Sequence, residues 1–246
     1  MAPAEPPMQK PAGLDKGLHL FWGSGSPFAR RAQMAVLEKG LPCNYIKMEF
    51  SRGDTRTPWF KELTVRHQVP TLIHDGVVVN ESVAILEYLE RHGGGNPLLP
   101  ADRKLQARAL SLLHEVDSNL GKANGELNAR TLFAKESEKF TKEQVEESAK
   151  KVYDELDVWE GHLTTNAKSY KGGWFVGDKV SVVDISLYPY ISNYTERLGL
   201  KLVPRWSRLD KWNSQMSEKP SAQASKPPHW ADSPPPKSPF KWFDMA

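Results

Sequence analysis

Cysteine is almost absent from this 246-residue sequence. The single cysteine, Cys43, excludes an intramolecular disulfide and a metal cluster built on cysteines, and it fits a reducing compartment. None of the seven histidines stands in a His-Glu-Xaa-Xaa-His or similar spacing. We therefore expect no metal site and no redox chemistry of the Cys-Xaa-Xaa-Cys type.

The sequence also lacks a strong charge bias and a long apolar run. Lys and Arg number 33 against 30 Asp and Glu and are spread along the chain, so no nucleic-acid partner is expected. No stretch approaches the roughly 18 uninterrupted apolar residues of a membrane span. Residues 1–16 mix prolines with charges and contain no apolar core of a secretory signal. We expect a cytoplasmic globular protein without a membrane partner, and 39% hydrophobic with 26% charged residues agrees with this.

The first part of the chain alternates strand and helix patterns. A short apolar run ends at a glycine turn, and Ser26-Pro27 then opens a helix that stops at Gly40. Asp75-Gly76 joins two β-branched runs, which predicts a hairpin. The predicted order is β-α-β-α-β-β-α, with strands at 19–22, 44–50, 71–74 and 77–80 and helices at 27–39, 59–63 and 81–91.

Beyond a glycine-rich stretch at 93–97 the strand patterns disappear. The fold class is therefore predicted to be α+β, a thioredoxin-like N-terminal domain followed by an all-α C-terminal domain. Aromatic residues in the proline-rich end of the chain suggest that it packs partly on the body. Helices are expected at 104–120, 142–164, 181–198 and 205–216. The expected organisation is a disordered leader at 1–16, a thioredoxin-like domain at 17–92, a linker at 93–101, a helical domain at 102–220 and a tail at 221–246.

Ser26-Pro27 is the best candidate for chemistry. A serine at a helix N-cap accepts a hydrogen bond from an early helix N–H, and its own proton remains available to donate outward. The N-terminus of a helix also favours an anion. A thiol with an ordinary pKa of about 8.5 would therefore be ionised more fully at such a place. A serine that merely caps a helix is the plainer interpretation, and these two residues alone do not decide.

Two further pairs could hold a ligand. Val69-Pro70 stands just before a strand, where a cis bond would turn the backbone of Val69 outward to pair with an extended peptide, although most such bonds are trans. Glu81 and Ser82 stand between the hairpin and the next helix. Ser82 could cap that helix and receive a carboxylate, while Glu81 could pair with an amino group. An ordinary helix cap is the alternative.

Four segments together resemble the cytosolic glutathione transferases of the serine type. Residues 26–40 read SPFARRAQMAVLEKG and are similar to that family's first-helix motif. QVPTL at 68–72, NESVAILEYL at 80–89 and SVVD at 181–184 are similar to three more of its motifs, the last as a helix-capping box. The resemblance covers about residues 18–220, in order and at similar spacing.

The resemblance implies that Ser26 stabilises the thiolate of bound glutathione. Its role would be electrostatic, because the sulfur of glutathione and not the serine is the nucleophile. Ser24 lies on the same glycine turn and is the rival candidate, but the gap-free match over 27–40 favours Ser26. Glutathione would be a cosubstrate, and no other cofactor is implied.

The remaining glutathione contacts implied by the resemblance also lie in the thioredoxin-like domain. The backbone of Val69 would pair with the cysteinyl part of glutathione, and Pro70 after it would be cis. Gln68 would reach the glycyl end. Glu81 and Ser82 would bind the γ-glutamyl end.

Three candidates are less specific. The family's Asn-Pro-Xaa-Gly is replaced here by TVRH, whose last residue, His67, could reach the glycyl end, although a solvated loop residue is the better interpretation. Asp117 lies where an aspartate of related enzymes reaches glutathione of a neighbouring subunit, and a solvated helix face is about as good an interpretation. Trp230, with Tyr188 and Tyr190, could line an apolar acceptor site, but aromatic residues at such spacing are more often core.

The implied function is attack of the glutathione thiolate on an apolar electrophile, in a homodimeric detoxification enzyme. WGSGSP at 22–27 and KPPHW at 226–230 are similar to the rho class of the family. The position of Cys43 argues against an omega-like thiol transferase, and the missing Ser-Ser-Cys motif argues against a zeta-class maleylacetoacetate isomerase. The alternatives are a non-catalytic ligand-binding or regulatory protein and a glutathione-dependent peroxidase or dehalogenase that uses the same thiolate.

Overall fold

The computed structural model describes residues 5–133 and 140–233. The chain divides into two compact units. The first extends to Leu98 and also includes Pro220–His229, while the second comprises Leu99–Lys219 and continues from Trp230. The boundary after Leu98 falls inside the stretch that the sequence suggests as a linker.

The first unit is built on a four-stranded mixed sheet. Its strands lie in the order β2-β1-β3-β4, and β1 runs parallel to β2 but antiparallel to β3, which is antiparallel to β4. The strands are β1 (Leu18–Trp22), β2 (Asn44–Lys47), β3 (Thr71–His74) and β4 (Val77–Asn80). The helices are α1 (Pro27–Lys39), α2 (Pro58–Leu63) and α3 (Ser82–Tyr88), the last continuing as a π-helical turn over Leu89–Gly93. The predicted β-α-β-α-β-β-α order and the thioredoxin-like class are confirmed.

Local sequence explains where these elements turn and end. Asp75 (φ 49°) and Gly76 (φ 80°) both have positive φ, which is the geometry of a two-residue type I′ hairpin between β3 and β4. Gly40 ends α1 in the left-handed conformation, and its N–H donates to carbonyl groups of the last turn. Strand β2 was predicted to continue to residue 50 but ends at Lys47. The backbone N–H of Glu49 donates to the carboxylate of Asp54 (2.8 Å) instead of continuing a ladder.

Residues 5–16 form no helix or strand but make specific contacts within the first unit. The N–H of Met8 donates to the carboxylate of Asp54 (2.8 Å), and the indole N–H of Trp59 donates to the carbonyl of Met8 (2.9 Å). Met8 and Leu14 also pack against the apolar cluster around Phe21. Residues 1–4 of the suggested leader lie outside the described part of the chain.

The described residues of the second unit form helices and loops and no strand. Its helices are α4 (Arg103–Glu115), α5 (Lys122–Arg130), α6 (Lys142–Asn166), α7 (Val182–Ser192) and α8 (Ser207–Ser217). Two helices predicted as continuous change to π-helical segments near their ends, at Val116–Gly121 and Asn193–Arg197. Helix α5 was missed, because Gly121 and Gly125 interrupt its pattern, and its packing against α6 holds it in place. Among the described residues, none of the helices combines the length with the hydrophobicity that a membrane span requires.

The predicted capping box at the start of α7 is confirmed. Ser181 is the N-cap, and its oxygen accepts from the N–H of Val183, while its own N–H donates to the Asp184 carboxylate (2.8 Å). Asp184 is fully buried and also accepts from the backbone N–H of Phe175 (3.2 Å) and the indole N–H of Trp212 (2.8 Å). One carboxylate therefore joins α7, α8 and the loop before α7.

Two short helices, α9 (Pro220–Ala224) and α10 (His229–Asp232), follow α8. We call Pro220–His229, which belongs to the first unit, the C-terminal strap. The strap packs along α1: the hydroxyl of Ser221 donates to the carboxylate of Glu38, and the buried guanidinium of Arg30 donates to the carbonyl of Ala222 (3.1 Å). The tail was expected to pack partly on the body, and its aromatic residues beyond 233 lie outside the described residues.

Candidate functional site

A tight turn at the end of β1 sets the position of Ser26. The N–H of Ser26 donates to the carbonyl of Gly23 (3.2 Å), and Gly25, the third residue of the turn, has a φ of 89°. A positive φ at that position is the pattern of a type II turn, and glycine adopts it without strain. Pro27 follows as the first residue of α1, with its φ already suited to a helix.

Ser26 is the N-cap of α1, as predicted. Its Oγ accepts a hydrogen bond from the backbone N–H of Ala29 (3.2 Å), which occupies an oxygen lone pair and leaves the hydroxyl proton to donate. Helix α1 has 13 residues, so its N-terminus carries the positive end of a substantial helix dipole. A thiolate placed here would receive both an O–H donor and a favourable field.

The register of the sheet gathers three candidate segments at one end. Phe21 of β1 pairs with Thr71 of β3, and Thr71 pairs with Asn80 of β4. One end of the sheet is therefore flanked by three segments: the turn before α1, the Val69–Pro70 segment and Glu81. The topology thus brings together three segments that are separate in the sequence.

The Val69–Pro70 peptide bond is cis, as the resemblance implies. Pro70 is buried, Val69 is half-buried and Gln68 is exposed. The carbonyl of Gln68 accepts from the hydroxyl of Thr71 (3.2 Å), which fixes the chain before β3. His67 is exposed in a turn, with a φ of 54°.

Ser82 does not cap α3, so that prediction is wrong. Glu81 is the N-cap, and its φ of 66° with ψ of 120° is uncommon for a residue with a side chain. Ser82 is the first helical residue, and its Oγ instead accepts two hydrogen bonds from Arg31, from Nε at 3.0 Å and from Nη2 at 2.6 Å. The guanidinium of Arg31 therefore donates to the Ser82 oxygen that was expected to accept from a backbone N–H of the helix.

The pairing with Arg31 restricts what Ser82 can do. With two donors on its oxygen, the hydroxyl of Ser82 has only its own proton to offer to a ligand, which suits a carboxylate. Arg31 is 1% exposed, so its charge acts with little screening by water. Sequence reasoning missed this role of Arg31, because no pattern links two residues 51 positions apart.

Two protein-family models match this chain. Residues 25–92 match the family model described as "Glutathione S-transferase, N-terminal domain", and residues 98–220 match "Glutathione S-transferase, C-terminal domain". The chain belongs to the glutathione S-transferase family. Its fold class, predicted from the sequence, is that of the family.

Individual glutathione S-transferases and a relative with a different name are similar to this chain. "Glutathione S-transferase A" of Pleuronectes platessa is 29% identical over 224 residues, covering 90% of this chain and 96% of the relative. A "Probable maleylacetoacetate isomerase" of Caenorhabditis elegans is 28% identical, covering 87% of this chain and 94% of the relative. The crystal structure of a glutathione S-transferase from the Antarctic clam Laternula elliptica has a TM-score of 0.79 and 28% identity, covering 94% of this chain and 100% of that one.

The rival serine, Ser24, is hydrogen-bonded by the C-terminal strap. Its Oγ lies 2.7 Å from Nδ1 of His229, which is 205 positions later in the chain. The sequence drew attention to His229 only as part of a class motif. The bond could not be anticipated, because nothing in the sequence shows which residue of the tail meets the turn.

The remaining candidates lie in the second unit. Asp117 belongs to the π-helical segment after α4, and its Oδ1 accepts from the hydroxyl of Tyr190 (3.5 Å). Tyr188 and Tyr190 are each 2% exposed, which agrees with the interpretation of core residues. Trp230 is half-buried in α10. Ligand contacts of Asp117 and Trp230 stay predictions.

The single cysteine of the chain, Cys43, is not a reactive thiol. Burial raises the pKa of the Cys43 thiol to about 12, so this side chain is protonated at neutral pH. Within residues 5–133 and 140–233, no group of three or more His, Cys, Asp or Glu is placed to hold a metal ion.

Proposed function

We propose that this protein conjugates glutathione to apolar electrophiles, with Ser26 stabilising the glutathione thiolate. The observation that carries the proposal is the position of the Ser26 hydroxyl, at the N-cap of α1 with its oxygen accepting from the N–H of Ala29. The proton of that hydroxyl can then be donated to a ligand. This serine-type chemistry needs no metal and no side-chain nucleophile.

The proposed reaction has two steps. The thiol of bound glutathione releases its proton to water, and the hydroxyl of Ser26 donates a hydrogen bond to the resulting thiolate. The sulfur then gives an electron pair to an electrophilic carbon, forming a C–S bond, and the leaving group departs with the pair of the bond that breaks. Lowering the thiol pKa by two units requires about 3 kcal/mol, which one charge-assisted hydrogen bond and a helix N-terminus can supply.

The other candidates are proposed to hold the rest of glutathione. The backbone of Val69 pairs with the cysteinyl part, and Gln68 lies toward the glycyl end. Glu81 pairs with the α-amino group of the γ-glutamyl end. Ser82 donates its hydroxyl proton to the neighbouring α-carboxylate, because its oxygen is taken by Arg31.

We also propose that the protein is a cytoplasmic homodimer of the rho class with a role in detoxification. The class rests on the segments at 22–27 and 226–230. The two-subunit state and the location rest on the family resemblance and on composition. The acceptor is proposed to be an apolar compound with an electrophilic carbon.

The test compares wild type with Ser26→Ala, and with Ser111→Ala as the matched control, since Ser111 is exposed on α4. Conjugation to a model aryl halide is measured against pH, and ionisation of bound glutathione is followed by ultraviolet difference absorbance. Ser26→Ala is expected to lower turnover about tenfold or more and to raise the pKa of the bound thiol, since a donor to the thiolate is lost. Ser111→Ala is expected to behave as wild type.

The same assays separate the alternatives. Wild-type protein that binds glutathione but does not conjugate it would support a non-catalytic ligand-binding protein. Turnover with peroxides or alkyl halides in place of the aryl halide would support the peroxidase or dehalogenase alternative. A protonated bound thiol at neutral pH in wild type would overturn the role proposed for Ser26.

A further inference from the structure

The C-terminal strap runs antiparallel to α1 and ends at the turn before it. It is anchored near the end of α1 by Glu38 and near its start by Arg30, whose guanidinium also donates to the hydroxyl of Ser225 (3.5 Å). Arg30 is 4% exposed, so the strap covers it. The last residue of the strap, His229, reaches the Gly23–Ser26 turn.

His229 contacts two successive positions of that turn. Its Nδ1 lies 2.7 Å from Oγ of Ser24, the second residue of the turn. Its ring lies against Gly25, the third residue, since a Cβ added to Gly25 would be 3.0 Å from Cε1 of His229. The fourth residue, Ser26, closes the turn through its N–H to Gly23. His229 therefore contacts two of the three residues that connect β1 to the proposed thiolate site.

We propose that His229 is a positioning residue for the glutathione thiol, acting through Ser24 and the turn that presents the Ser26 hydroxyl. This inference rests on the proposed function of Ser26. The direction of that hydroxyl depends on the turn, because Ser26 has non-helical backbone angles and only Pro27 begins the helix. A glycine on either side of Ser24 gives the turn conformational freedom, which the contact with His229 removes.

The hydrogen bond forms with either tautomer of the imidazole. If Nδ1 carries a proton, it donates to Oγ of Ser24; if it does not, the hydroxyl of Ser24 donates to Nδ1. The positioning role is therefore independent of the tautomer. The proposed role of His229 also changes the role expected of Ser24. The sequence alone presents Ser24 only as a rival of Ser26, whereas here Ser24 helps to position Ser26.

The variants separate the hydrogen bond from the packing of the ring. His229→Phe keeps a ring over Gly25 but loses the nitrogen. His229→Asn keeps a polar atom near the position of Nδ1 but loses the ring. Ser24→Ala removes the other partner of the bond, and Gln223→Ala is the control, since Gln223 is exposed on the strap.

Three quantities are measured for each variant: kcat and KM with glutathione, the pKa of the bound thiol, and thermal stability. His229→Phe and Ser24→Ala are each expected to lower kcat about three- to tenfold and to raise the thiol pKa, the size expected for one hydrogen bond. KM for glutathione is expected to stay within about twofold. The double variant is expected to be no worse than either single one, because both remove the same bond, and His229→Asn is expected to recover part of the loss.

Two results would overturn the proposal. One is a His229→Phe protein that melts earlier but has the wild-type kcat and thiol pKa, since this would show a purely structural strap. The other is independent, additive losses in the double variant. If wild type binds glutathione without conjugating it, the proposed function fails, but the effect of His229→Phe on the pKa of the bound thiol still decides the role of His229.

Discussion

The guanidinium of Arg52 holds the carboxylate of Asp54 with two hydrogen bonds, from Nε to Oδ1 at 2.8 Å and from Nη2 to Oδ2 at 2.7 Å. The same carboxylate accepts the backbone N–H groups of Met8 and Glu49, each at 2.8 Å. Asp54 is 0% exposed, and four donors satisfy both of its oxygens. One buried carboxylate thus joins the N-terminal segment to the loop after β2.

Replacing Asp54 is expected to destabilise the protein strongly. Asp54→Asn places an amide NH₂ next to hydrogen-bond donors and leaves buried N–H groups without an acceptor. The free energy of unfolding at neutral pH should therefore fall by about 3 kcal/mol. Urea unfolding followed by circular dichroism measures this. Glu5→Gln is the control, because Glu5 meets Arg52 from an exposed position and such pairs contribute little.

The same carboxylate predicts a change of stability with pH. The hydrogen bonds from Arg52, followed by those from Met8 and Glu49, lower the pKa of Asp54 from 3.8 to about 2. Because the folded pKa is below the unfolded one, this contribution is complete above about pH 4 and is lost as the pH falls toward 2. The wild type should therefore lose more free energy of unfolding than Asp54→Asn between pH 4 and pH 2. Parallel curves for the two proteins would contradict the assignment.

The pair Arg31–Ser82 predicts an effect on ligand affinity. Arg31→Lys replaces a planar group that donates twice by a single ammonium, and Ser82→Ala removes the acceptor. Each should raise the dissociation constant for glutathione about three- to tenfold, measured by calorimetry. An analogue amidated at the γ-glutamyl α-carboxylate should bind wild type and Ser82→Ala alike. Equal losses with both ligands would show that Ser82 does not meet this carboxylate.

Replacing Asp184 is expected to lower the stability of the protein more than replacing an exposed helix cap. Asp184→Asn turns an NH₂ toward the N–H or hydroxyl of Ser181, and the free energy of unfolding should fall by about 2–4 kcal/mol. At the start of α4, Asp102 caps from an exposed position, and Asp102→Asn should cost little because asparagine caps helices well. Chemical unfolding of both variants gives the comparison. Similar small losses would mean that the buried network around Asp184 is not needed for stability.

Replacing two glycines by alanine is expected to change the free energy of unfolding in opposite directions. Gly161 lies within α6 with open space where a Cβ would stand, so Gly161→Ala should raise the free energy of unfolding by about 0.8 kcal/mol. Gly95 has a φ of 70°, and a Cβ there would lie against the carbonyl oxygen of Lys39. Gly95→Ala should therefore lower the free energy of unfolding by more than about 1 kcal/mol. Thermal melts of the two variants, which add the same methyl group, test the sign.

Sequence patterns predicted the parts of the structure that short-range chemistry decides. The cap at Ser26, the stop at Gly40, the Asp75-Gly76 hairpin and the capping box at Ser181 each depend on residues within five positions of one another. The order of strands and helices along the first unit followed from the same short-range patterns.

The parts that sequence reasoning missed are set by long-range packing. The bonds of Arg31 to Ser82 and of Ser24 to His229 join residues 51 and 205 positions apart, and neither has a periodicity that could reveal it. The prediction that Ser82 caps α3 was wrong for the same reason, because the oxygen of Ser82 accepts its hydrogen bonds from the distant Arg31. Helix α5 was missed because Gly121 and Gly125 interrupt its pattern, although its packing against α6 stabilises it.

The strap has a consequence for how the chain acquires its structure. A nascent polypeptide that has left the ribosome only as far as Leu98 contains all four strands but not Pro220–His229. Glu38 and Ser24 then still lack their distal partners, and the side chain of Arg30 is uncovered. The unit that is synthesised first therefore acquires its last contacts only after Pro220–His229 has been synthesised.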